Sequence, residues 1–171
     1  MITLAINFNT MKKHLLFTAI ALIAHSLIFA ASGGPDLYGY IWKDSNEPGG
    51  PVYNWIDIVN HPNTVEVNGL SDDNNAGPFQ IGFNFQYYWY GVSQYWVGSN
   101  GYIAFNNGQI SSPFPVIPSA AQPNNFIAPF AADFNFDGAT NPGHCYYWQN
   151  ATNDTLIISY ENVPFWSTSA A

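Results

Sequence analysis

The segment 133–138 carries the side chains best suited to bind a metal ion. It reads Asp133-Phe134-Asn135-Phe136-Asp137-Gly138, with an oxygen-bearing side chain at every second position and glycine at the sixth. Calcium loops use this alternation, but an EF-hand would place glutamate where His144 stands and would need helical flanks. We therefore expect either a calcium site of another geometry, formed by Asp133, Asn135 and Asp137, or an ordinary Asp/Asn-rich turn.

A second acidic stretch, Asp72-Asp73-Asn74-Asn75, offers the same kinds of oxygen ligand. Consecutive Asp and Asn residues also serve as solvated connections before a strand. Both interpretations stay open at this stage.

Aromatic residues make up 18% of the chain, and several of them follow one another between residues 87 and 96. Aromatic faces stack on sugar rings, which carry little charge. Trp89, Tyr90 and Trp96 are therefore candidates for a carbohydrate-binding platform, and packing over the end of the fold is the alternative.

Catalysis by a nucleophile and a base finds little support. His144 and Cys145 are adjacent, so in a strand they would point to opposite faces, and we expect Cys145 to be a buried apolar residue. The sequence has no close pair of histidines that would indicate a zinc site. We expect no enzyme; the remaining possibility is a glycosidase-like carboxylate pair drawn from Asp57, Glu66 and Glu161.

The N-terminal residues have the layout of a secretory signal peptide. Lys12 and Lys13 precede an apolar run at 15–24, and small residues follow at Ala30-Ala31. We expect a signal helix in residues 1–30, cleavage near Ala30, and no stable membrane span afterwards; an uncleaved anchor is the alternative. Met11 is an alternative start.

The charge balance argues against nucleic acid as a partner. The chain has 3 Lys and Arg residues, 11 Asp and Glu residues and a formal net charge of −8. Binding phosphates requires clustered basic residues. After cleavage Lys43 would be the sole Lys or Arg residue.

The elements that must position these side chains are predicted to be strands. In 79–86, Phe79, Ile81, Phe83 and Phe85 alternate with Gln80, Asn84 and Gln86, which is typical of a sheet with one buried face. Ser99-Asn100-Gly101 predicts a tight hairpin turn. The proline-rich stretch 111–125 predicts a long loop that crosses between sheets. Further strands are expected at 52–58, 64–67, 95–98, 102–105, 126–131, 145–148 and 155–160.

Eight short strands predict an all-β protein with an antiparallel β-sandwich fold, in a single domain over residues 31–171.

Several segments, taken in order, resemble a β-sandwich module that recurs in large secreted bacterial proteins and is related in pattern to the nidogen-like extracellular domain. The similarity spans about residues 34–166. It rests on 34–36, Trp42, 44–51, 72–73, 77–79, 81–85, 97–105, 123–130, Asp133, 146–147 and 157–164.

The resemblance implies an extracellular, non-catalytic module of the kind found beside peptidase, adhesion or C-terminal sorting domains. The run Tyr87–Gly91 departs from the family's simpler turn, and we expect it to lengthen that loop. Similar modules continue beyond Val163-Pro164, so we expect a sandwich that is incomplete at the C-terminus and a chain that is a fragment of a larger protein.

We therefore expect a secreted or cell-surface module for binding or adhesion, with carbohydrate or another extracellular protein as partner and calcium as the one candidate cofactor. The alternative is a structural spacer that accompanies a secreted peptidase or other hydrolase domain.

Overall fold

A computed structural model describes residues 32–105, 124–137, 142–152 and 154–166. The predicted signal helix and cleavage position lie outside these residues and stay predictions. In the described part of the chain, no helix has the length and apolarity needed to cross a membrane.

The chain divides into two compact units, Met1–Asn54 and Trp55–Ala171. In the first unit, β1 (Ser32–Gly33) pairs with β2 (Trp42–Lys43) in an antiparallel ribbon. The predicted domain of residues 31–171 spans parts of both units.

The described residues of the second unit form two antiparallel sheets. One has the strand order β3 (Val65–Glu66), β8 (His144–Gln149), β9 (Leu156–Glu161), and the other has the order β4 (Asn75–Tyr87), β5 (Tyr90–Gly98), β6 (Tyr102–Ala104), β7 (Phe126–Ile127). The prediction of an all-β antiparallel fold is therefore confirmed.

Alternating side chains turn one face of each sheet toward the core. In β4, Ile81 is buried, and its partners in the alternation, Phe79, Phe83 and Phe85, pack against the same cluster. Gln80, Asn84 and Gln86 are exposed, as the sequence predicts. The period of two thus sets which face of β4 is buried.

The two sheets pack face to face, which gives the sandwich. Tyr95 of β5 and Cys145 of β8 are both fully buried in one shared cluster. The Phe79 and Tyr147 rings, from opposite sheets, lie 5.3 Å apart. The Tyr160 hydroxyl donates to the Gly98 carbonyl at 2.8 Å, so a hydrogen bond also joins the sheets.

Three local expectations were wrong. Residues 52–58 form no strand; Val52 is 88% exposed, and β propensity has effect only where side chains pack against a neighbouring strand. The run Tyr87–Gly91 does not lengthen its loop, because Tyr87 pairs with Tyr90 across a two-residue turn. The connection after β6 returns to the same sheet, since β7 pairs with β6.

The predicted hairpin at 99–101 is confirmed, with Gly98 paired to Tyr102. Positive φ occurs at Gly101, at 77°. A Cβ added there would lie 2.1 Å from the Phe130 carbonyl oxygen, so both conformation and space require glycine.

Gly101→Ala should therefore destabilise the protein more than Gly69→Ala does. Gly69 also has positive φ, at 86°, but a Cβ there would meet no atom within 4 Å. The left-handed conformation alone costs about 1–2 kcal/mol, and Gly101→Ala adds a backbone clash. Urea unfolding measures both variants; equal losses in the free energy of unfolding would contradict the assigned contact with Phe130.

Candidate functional site

Three carboxylates from two distant segments meet beside the β5–β6 hairpin. One oxygen each of Asp72, Asp73 and Asp133 lies within 4.8 Å of the other two. Asp72 and Asp133 are partly buried, and Asp73 is exposed. We call these three residues the carboxylate cluster.

Asn100, in the hairpin turn, holds the two segments together. Its side-chain Nδ2 donates to Asp73 Oδ1 at 2.8 Å, and its Oδ1 accepts the Phe134 backbone N–H at 2.8 Å. Asn100 is only 3% exposed. A buried amide that is bonded on both sides fixes its neighbours, because breaking either bond would leave a polar group unpaired away from water.

Backbone bonds complete the frame around the cluster. The Asn74 backbone N–H donates to Ser99 Oγ at 3.0 Å, which ties the 71–74 loop to the hairpin. The Phe136 N–H donates to the Ser71 carbonyl, and the Trp166 N–H donates to the Asp133 carbonyl. The positions of the carboxylates are therefore set by the fold.

The cluster concentrates negative charge. Burial raises the pKa of Asp72, repulsion by Asp73 and Asp133 adds to the rise, and a hydrogen bond with the Trp166 side chain opposes it. Asp72 Oδ1 is buried and has no hydrogen-bond partner in the described part of the chain. The sequence contains no Lys or Arg after Lys43, so the second unit has none to balance the cluster.

The structure groups Asp133 with different residues from those that the sequence predicted as its fellow ligands. Asp133 joins Asp72 and Asp73, which the sequence indicated only as a separate stretch. Asn135 Oδ1 instead accepts the Asp137 backbone N–H at 2.8 Å, the contact of a local Asx turn. Asp137 is exposed, although its charge still acts on Asp72.

The predicted aromatic platform divides between the two ends of β5. The Trp89 and Tyr90 rings lie 5.9 Å apart at the β4–β5 turn, and Trp89 is 66% exposed. Trp96 lies six residues beyond Tyr90, roughly 20 Å along an extended strand, and its ring is beside Gly77.

The residues considered for catalysis are engaged in structural contacts. His144 Nδ1 lies 2.7 Å from Glu66 Oε1 on the exposed side of the sheet. Cys145 is fully buried, as predicted, and burial raises its thiol pKa to about 12. Asp57 accepts the Val59 N–H, and the charges of Glu66 and Glu161 both act on Tyr146.

One model of a known protein family matches this part of the chain. The model described as NIDO related, that is nidogen-related, matches residues 52–171, which is more than half of the 171-residue chain. The chain belongs to the NIDO-related family. Domains of this family are typically extracellular. Neither the curated proteins nor the solved structures give a match.

The NIDO-related match and the second compact unit begin within three residues of each other, at positions 52 and 55. The carboxylate cluster and both ends of β5 lie inside the match. The segments 34–36 and 44–51, on which part of the predicted resemblance rests, precede it.

The raised pKa of Asp72 predicts a specific pH dependence of stability. Its charged form is disfavoured in the folded state, so this cost is present at pH 7 and is relieved as the pH falls through the raised folded-state value. Without divalent cations, acidification from pH 7 toward the ordinary aspartate pKa of about 4 should favour the wild type over Asp72→Asn, which has no proton to gain.

Thermal unfolding of both proteins across this pH range measures the difference. Glu47→Gln, a carboxylate change in the first unit, should follow the wild type. If the melting temperatures of the wild type and Asp72→Asn change equally with pH, the raised pKa of Asp72 is contradicted.

Proposed function

We propose that this chain is a secreted or cell-surface, non-catalytic β-sandwich module for binding or adhesion, and that calcium held by Asp72, Asp73 and Asp133 orders its binding end. The observation that carries the proposal is the convergence of these three carboxylates beside one hairpin. Loops at one end of a rigid sandwich are a common location for binding sites.

The chemistry of the cluster favours a hard cation. Calcium binds carboxylate and backbone carbonyl oxygens in flexible geometries, and each cluster residue offers a carboxylate oxygen. A divalent ion would relieve the mutual repulsion that raises the pKa of Asp72 and would give a partner to Asp72 Oδ1. Extracellular calcium sites bind with Kd values of about 0.1–1 mM, which suits a module outside the cell.

The contacts of the potentially reactive groups support a non-catalytic role. A buried thiol with a pKa of about 12 is protonated at neutral pH and is a poor nucleophile. His144 contacts a glutamate, whereas a nucleophile–base pair would need it within reach of a hydroxyl or thiol. A purely structural spacer, the alternative to a binding role, would require neither the cation nor a ligand.

Calcium should raise the melting temperature of the wild type by about 2–6 °C at several millimolar, as expected for a ligand that binds the folded state alone. Asp73→Asn and Asp133→Asn should abolish this rise, because each removes a charged ligand. Asp137→Asn should retain most of it, since Asp137 lies outside the cluster.

Differential scanning fluorimetry with calcium, and with magnesium for comparison, measures these shifts. A wild type that shows no shift would refute the calcium proposal. A loss in Asp137→Asn equal to that in Asp73→Asn would favour the loop geometry of 133–137 instead.

A carbohydrate site at the other end of β5 is a second candidate, favoured by the exposed Trp89 at the β4–β5 turn. Its ring packs edge-on against those of Tyr88 and Tyr90, with centroids 6.1 and 5.9 Å away, which would hold it in place for stacking on a sugar.

Glycan-array binding should therefore be lost in Trp89→Ala and kept in Trp96→Ala, whose ring lies at the far end of β5. Binding that survives Trp89→Ala, or that Trp96→Ala removes alone, would argue against this location.

A further inference from the structure

An apolar cavity of about 580 Å³ opens next to the carboxylate cluster. Its walls come from β6, from the end of β9 and from the segments around Phe130 and Phe165. Cavities of this size accommodate ligand groups or anchor side chains. None of the functions considered above uses it.

The cavity wall is aromatic and held in place. Phe134 is 8% exposed, its ring stacks on that of Phe165 at 5.2 Å, and the Phe130 ring lies 5.8 Å away. The hydroxyl of Tyr160, another wall residue, already donates to the carbonyls of Gly98 and Tyr102. The ligand that fits such walls is itself apolar.

Apolar surface continues outward from the cavity. Phe130 is 65% exposed and Phe165 is 46% exposed. Exposed aromatic residues that rim a pocket are characteristic of protein-interaction sites. A ligand that covers them must be larger than one filling the cavity alone.

The carboxylate cluster gives this surface a charged border. Phe134 directly follows Asp133, so their Cα atoms lie about 3.8 Å apart. Phe165 directly precedes Trp166, whose side chain is hydrogen-bonded with Asp72. Because the second unit has no Lys or Arg, positive charge from a partner would meet an unbalanced negative potential here.

We propose that the cavity receives an apolar anchor side chain of a partner polypeptide, and that a Lys or Arg flanking the anchor pairs with the carboxylate cluster. The proposal rests on the binding role proposed above and names the class of partner. It requires no calcium, so the two can be tested separately.

The test uses the full chain in buffer with EDTA and three peptides, acetyl-Lys-Phe-Lys-amide, acetyl-Lys-Ala-Lys-amide and acetyl-Glu-Phe-Glu-amide. NMR titration should give a Kd on the order of 1 mM for the first peptide. The other two should bind at least about tenfold more weakly, since one lacks the anchor and the other reverses the charge.

Phe130→Ala and Asp73→Asn should each weaken binding of the first peptide. Asn84→Ala, on the exposed face of β4, should leave its Kd unchanged. Phe130 and Asp73 are exposed, so both variants should fold, which circular dichroism checks. No binding of the first peptide, equal Kd values for all three peptides, or binding unaffected by Phe130→Ala would overturn the proposal. Phenethylamine binding as tightly as the peptide would also overturn it, because a polypeptide would then add nothing.

A calcium-induced rise in melting temperature without peptide binding would overturn this inference and leave the proposed function standing. Peptide binding without a calcium-induced rise in melting temperature would refute the calcium proposal and leave this inference standing.

Discussion

The carboxylate cluster depends on one buried amide, that of Asn100. Two of its hydrogen bonds join a strand hairpin, the 71–74 loop and the segment that follows Asp133. The amide is almost fully buried, so water cannot replace either partner. This arrangement brings carboxylates together that would separate if each loop were free.

This arrangement holds like charges close together, which is electrostatically unfavourable. Burial and like charge raise the pKa of Asp72, and the second unit contains no Lys or Arg to offset them. Strain of this kind is retained where the surrounding structure over-determines it, and it concentrates at functional sites. A cation, whether a metal ion or a partner's side chain, would turn the repulsion into attraction.

The core removes one potentially reactive side chain from contact with solvent. Aromatic rings from both sheets pack between them, with Phe79 against Tyr147 as one contact. The thiol of Cys145 is sealed in this layer. The turns at the two ends of β5 carry different surfaces, with exposed aromatic rings at one end and carboxylates at the other, so this unit presents two separate candidate sites.

The sequence by itself determined the all-β class, the buried face of β4, the hairpin at Ser99–Gly101 and the burial of Cys145, because alternation and turn chemistry are local. It also pointed to the family through ordered short segments. Only the tertiary structure decided that Asp133 lies with Asp72 and Asp73, that Trp96 lies far from Trp89, and that residues 52–58 stay outside the sheets. Those outcomes depend on contacts between residues distant in the chain, and local spacing carries no information about them.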